Sequence, residues 1–69
     1  MNFNQAVKKA QINSQLNQSE FSQRLGVSRV TLANWIKGKH TPDALQVHRM
    51  CQIASMSVSE FYDWADKPR

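Results

Sequence analysis

The stretch QSEFSQRLGVSRVTLANWI, residues 18–36, decides the fold. It divides into two short amphipathic segments hinged at Gly26. Phe21 and Leu25 point inward from the first segment, and Val27, Leu32 and Trp35 from the turn and the second. Two helices meeting at a sharp angle need apolar groups at those places. Ser22 is small where the pair approaches most closely. Gly26 stands where the first helix must end in a residue that accepts positive φ without a Cβ penalty.

The second segment turns Ser28, Arg29, Thr31 and Asn34 outward. Two short helices at this spacing, the second polar and basic on its outer side, form the pattern of a DNA-binding helix-turn-helix.

Working outward, the start signals of the other helices agree with one another. Asn17 is a good N-cap with Glu20 three residues on, a capping box, and Leu16 and Phe21 hold the staple positions. Ser28 caps the next helix, with Val27 and Leu32 at the same spacing. Thr41 followed by Pro42 predicts a fourth helix over about residues 42–54, with proline at the first helical position. Its Val47, Met50, Cys51 and Ala54 share one face. Ser57 with Glu60 predicts a second capping box, stapled by Met56 and Phe61, for a short helix over about residues 58–64. A first helix over about residues 3–15 carries Phe3, Val7 and Ala10 on one stripe, with Ile12 beside it. Five helices without sustained strand alternation predict an all-α fold. The expected core is Val7, Leu16, Phe21, Leu25, Val27, Leu32, Val47, Met50, Cys51, Met56, Val58 and Phe61. The domain is expected over residues 1–65, with a flexible C-terminal tail over 66–69.

A chain of 69 residues forms one small domain, and such domains bury only about 60% of their unfolded surface. The single cysteine, Cys51, leaves no internal disulfide and no cysteine-rich zinc site, and is read as a small buried side chain. His40 and His48 lack a supporting ligand cluster, so no metal and no cofactor is expected. No apolar run approaches the ~18 residues that span a bilayer, and no signal segment is visible, so a cytoplasmic protein without membrane partners is expected. Charge is uneven along the chain. Residues 1–39 hold six Lys/Arg (Lys8, Lys9, Arg24, Arg29, Lys37, Lys39) against Glu20 alone, a net +5. Residues 40–69 hold three against four acids, a net −1. The basic excess coincides with the motif, as a polyanion-facing side requires.

With this layout the chain resembles the phage Cro and lambda-repressor-like (XRE-type) helix-turn-helix family. The resemblance is carried by LNQSEFSQRLGVSRVTLANWIKGK at residues 16–39, by Thr41-Pro42 and by Met56-Ser57-Val58-Ser59. It implies a five-helix lambda-repressor-like domain with the motif at helices 2 and 3. It also implies a transcription regulator that binds operator DNA as a two-fold homodimer. By position, Ser28, Arg29, Val30 and Asn34 fall where the family faces base edges. Gln18 falls where it touches a phosphate and buttresses the residue at Arg29, and Lys37 and Lys39 where it meets the DNA backbone. Two departures occur together. Gln11 and Ile36 stand where the family often has an arginine and a glutamate in a partly buried ion pair. Losing both partners strands no charge, and apolar packing replaces such a pair without loss. His48 and Ser55 also replace an apolar residue and a glycine.

The chemistry follows from residue type. Arg29 presents two parallel N–H donors to guanine O6 and N7, and Asn34 suits adenine N6 and N7. Val30 and the Thr31 methyl suit a thymine methyl. Lys37 and Lys39 would supply affinity and salt dependence without sequence information, or remain ordinary solvated loop residues. Tyr62 and Trp64 suit either half-buried packing or a dimer patch. The expected function is a stand-alone Cro-like repressor of phage or bacterial origin, in the cytoplasm at the nucleoid, without a small-molecule ligand. Two alternatives stay open: the DNA-binding part of a longer repressor, for which Lys67-Pro68-Arg69 suits a linker, and an antitoxin that regulates its own operon. Scattered acids, two histidines and one cysteine form no nucleophile–base pair at meaningful spacing, so an enzyme is not expected.

Overall fold

Three helix starts follow one local rule. Asn17, Ser28 and Asp43 each lie in extended backbone, and each side chain accepts the backbone N–H three residues on. That bond satisfies one of the donors a helix leaves unpaired at its first turn. The computed structural model describes residues 3–66. Among them are α1 (Phe3–Ser14), α2 (Gln18–Leu25), α3 (Arg29–Lys37), α4 (Ala44–Ala54) and α5 (Val58–Asp66), and no strand. The all-α architecture of five helices is therefore the one observed.

At Asn17 the capping box is complete, with Glu20 N–H donating to Asn17 Oδ1 at 2.8 Å and Asn17 N–H returning to Glu20 Oε1 at 3.4 Å. At Ser57 it is one-sided: Glu60 N–H donates to Ser57 Oγ at 3.0 Å. The fourth helix starts later than Thr41-Pro42 predicts. Asp43 is its cap, accepting Gln46 N–H at 2.9 Å, while Pro42 is buried ahead of it. Aspartate caps better than threonine, and burying the proline ring puts Asp43 at the helix entrance. The fifth helix continues through Asp66, so that residue belongs to the helix and not to the tail expected from 66. Residues 67–69, and with them the proposed linker Lys67-Pro68-Arg69, lie outside the described residues.

The core joins Ala6, Val7 and Ala10 of α1 to Phe21 and Leu25 of α2 and to Leu32 and Trp35 of α3. Val47, Met50, Cys51 and Ala54 of α4, Met56, and Phe61 and Ala65 of α5 complete it. Leu16 and Val27 are half-buried at its edge rather than inside it. Val58 is not a core residue: as the first residue of α5 it is 38% exposed. Ile12 is 69% exposed and lies off the buried stripe of α1. Ile36 packs half-buried against the cluster. Burial pushes the Cys51 thiol pKa up, the Glu60 carboxylate adding to the shift, and Cys51 Sγ donates to the Ser57 carbonyl at 3.7 Å.

The end of α4 carries strain. Ser55 is its C-cap in the left-handed region, at φ 55°. Such a conformation costs a residue with a Cβ about 1–2 kcal/mol, part of which glycine returns as unfolded-state entropy. Ser55→Gly is therefore expected to stabilise the chain by about 0.5–1 kcal/mol, read as a raised urea midpoint with unchanged slope. A lower midpoint would mean that the Ser55 side chain contributes more than its backbone costs.

Candidate nucleic-acid interface

The α2–α3 unit is set by two glycine-bearing ends. Gly26 takes φ 77° and ends α2, with Val27 N–H donating to the Ser22 carbonyl at 3.1 Å. A Cβ on Gly26 would meet only Arg49 Nη1, at 3.8 Å, so glycine is needed for its backbone and not for space. Gly38 takes φ 81° and ends α3. The Asn34 carbonyl accepts Lys39 N–H there at 2.9 Å, which holds the Lys37-Gly38-Lys39 turn onto the helix.

Phe21, Ser22 and Leu25 of α2 and Leu32 and Trp35 of α3 are buried, so the remaining face of α3 is turned outward. Trp35, only 5% exposed, closes the core beneath the end of that helix. Arg29 is exposed at the first position of α3, and among the described residues none pairs with its guanidinium. Val30, beside it, is 70% exposed. Gln18, the first residue of α2, is half-buried and lines one open depression together with Arg29, Val30 and Ala33. Ala33 is absent from the sequence-based expectation. A small residue one turn after Val30 carries no chemical signal of its own, and only packing against α2 brings it to the depression.

Thr31 and Asn34 are half-buried along the same helix. The exposed Ser28 hydroxyl has local work: it accepts Thr31 N–H at 3.1 Å and lies 2.9 Å from Thr31 Oγ1. Lys37 and Lys39 are exposed at the far end of α3. A helix with its side chains is about 10–12 Å across, close to the ~12 Å width of the major groove, and the nine residues of α3 run about 13 Å along it. Arg29 and the lysine turn thus stand at opposite ends of a groove-sized element.

Tyr62 and Trp64 are half-buried on α5, away from this face, with their rings engaged inside the chain. Tyr62 stacks edge-on to Phe3 and Phe61 at 5.9 Å from each, and Lys9 Nζ lies 5.1 Å from the Trp64 ring centre.

One supporting residue carries no mark in the sequence. Arg49 reaches from α4 to the turn, where its Nη1 donates to the Leu25 carbonyl at 3.4 Å. This puts a cation on the C-terminal carbonyls of α2, where the helix dipole favours it. Nothing in the local pattern of α4 singles out Arg49, because its partner is 24 residues away. Arg49→Ala is expected to cost about 0.5–1 kcal/mol in urea unfolding. No change would show that the hydrogen bond has no net worth in water.

Among the described residues no three His, Cys, Asp or Glu are grouped as a metal ion would need. No helix among them is long and apolar enough to cross a membrane. None of the curated proteins compared with the chain matches it. The helix-turn-helix family model matches residues 8–61, a span that holds the α2–α3 unit, both glycine ends and the Lys37-Lys39 turn. The chain belongs to the XRE-type helix-turn-helix family of DNA-binding transcriptional regulators.

Proposed function

We propose that the chain is a sequence-specific repressor of the Cro-like kind, from a phage or prophage, acting at the nucleoid of a bacterial host. It would read a two-fold symmetric operator as a homodimer, with half-sites about one helical turn apart. In this reading α3 enters the major groove with its N-terminal turn nearest the bases. Arg29 bonds guanine O6 and N7, Asn34 bonds adenine, and Ser28, Val30 and Thr31 complete the base-facing set. Gln18 meets a phosphate at the start of α2, where unpaired amide groups favour an anion. Lys37 and Lys39 meet the backbone at the other end of α3.

The observation that carries this reading is the exposed Arg29 guanidinium at the start of α3, without a partner among the described residues and flanked by Gln18 and Val30. A guanidinium free to present two donors at the groove-facing end of a helix suits base reading as well as attraction to a polyanion. Tyr62 and Trp64 remain the proposed dimer contacts through whatever part of each ring the core leaves uncovered.

Selection of bound duplexes from a random pool tests the proposal. A consensus with two-fold symmetry supports both the reader and the dimer. An asymmetric consensus removes the dimer, and equal affinity for consensus and scrambled duplex removes the reader.

A further inference from the structure

We propose that Arg49 is a positioning residue for DNA reading. By holding the Leu25 carbonyl from α4, it fixes the direction in which α3 leaves the turn, and so where Arg29 meets a base. The proposal rests on the DNA-reading function above and adds to it a residue that touches no DNA.

The hinge between α2 and α3 is the peptide unit that joins Leu25 to Gly26. Its N–H donates to the Gln23 carbonyl at 3.1 Å, and the next amide, of Val27, to the Ser22 carbonyl at 3.1 Å. Its carbonyl, that of Leu25, receives no turn amide among the described residues. It is one of the acceptors a helix leaves unpaired at its last turn. Arg49 Nη1 donates to it at 3.4 Å from 24 residues away. The same nitrogen would lie 3.8 Å from a Cβ on Gly26, so the guanidinium rests against the hinge itself. Rotating that peptide plane changes φ of Gly26, and glycine opposes the rotation least, because positive and negative φ cost it about the same. Two bonds hold the plane at φ 77°. One lies within α2, and the other comes from α4, whose Val47 and Met50 are anchored in the core.

The angle matters because the reading surface is divided between two helices. Gln18 at the start of α2 and Arg29 at the start of α3 line one depression. On a consensus duplex a phosphate and a base must meet both at once. A scrambled duplex is held by phosphate contacts alone, which tolerate a shift of α3. Once the hinge is released, only molecules with the correct crossing read the consensus, and apparent affinity falls by that fraction.

The test uses the whole chain, with the duplex selected from a random pool and a scrambled duplex, and follows binding by fluorescence anisotropy. Titrations run at a temperature where circular dichroism shows every variant fully folded. Arg49→Met keeps an unbranched stem and loses both donor and charge. Arg49 is exposed, so the change opens no cavity. The expected result is a preference for consensus over scrambled duplex that falls about three- to fivefold for each half-site engaged. The slope of log K against log salt should stay as it is, since no phosphate contact is lost. Ser57→Ala is the control. It removes the hydroxyl that accepts Glu60 N–H at the start of α5, destabilises the fold, and should leave the preference intact. An unchanged preference in Arg49→Met overturns the proposal. So does a shallower salt slope, which would make Arg49 a phosphate ligand, or an equal fall in preference in Ser57→Ala. Those results leave the DNA-reading function standing, whereas a selection that enriches no sequence overturns both.

Discussion

Replacing Phe61 with alanine is expected to lower the melting temperature by about 20–35 °C and leave little native helix at 37 °C. Phe61 is fully buried where α5 meets α1, with its ring 6.0 Å from Phe3 and 5.9 Å from Tyr62. Truncating a buried phenylalanine costs about 3–5 kcal/mol, as forfeited transfer energy and an unfilled cavity. A chain of 69 residues has about 3–10 kcal/mol in all at the usual stability per residue. One side chain thus accounts for much of the total. The pair α1–α5 holds the rear of the domain, so its disruption also removes the support on which α3 rests. Thermal unfolding followed at 222 nm checks this, and a shift below about 10 °C would mean that the aromatic end is peripheral to stability.

Arg29→Ala is the second large effect, and it should fall on binding with folding unchanged. Arg29 is exposed, and its removal opens no cavity. A bidentate arginine–guanine pair discriminates by about 1–3 kcal/mol, so affinity should fall about 5- to 150-fold for each half-site engaged. Preference at one base pair per half-site should disappear with it. Lys39→Ala makes the contrast. It should weaken consensus and scrambled duplexes about equally and reduce the slope of log K against log salt by about one for each bound protomer, since each neutralises one fewer phosphate. Anisotropy titrations at several salt concentrations separate the two patterns. If Arg29→Ala behaved as Lys39→Ala is expected to, Arg29 would be a phosphate ligand and the base-reading role would have to move elsewhere on α3.

The parts of the fold legible in the chain are those decided within four or five residues. Asn17 with Glu20, Ser28 before Arg29, and glycine at 26 mark helix ends through hydrogen bonds to neighbouring backbone. Such bonds form wherever the chain turns, so local chemistry suffices to read them. The fourth helix shows where that reasoning stops. Thr41 and Asp43 are both competent caps, and burial of Pro42, a tertiary event, selects the second. Val58 shows the same limit for the core: its apolarity is evident, but its exposure depends on where α5 enters the bundle.

Residue order therefore determined the five helices, the turn at Gly26 and which side chains of α3 carry donors. Packing alone decided that Gln18, Arg29, Val30 and Ala33 share one depression, and that Arg49 reaches the Leu25 carbonyl from a different helix. The reason is range. A cap or a left-handed glycine is a free energy of neighbouring residues, whereas a surface made by two helices exists only after the buried side chains have fixed how those helices cross.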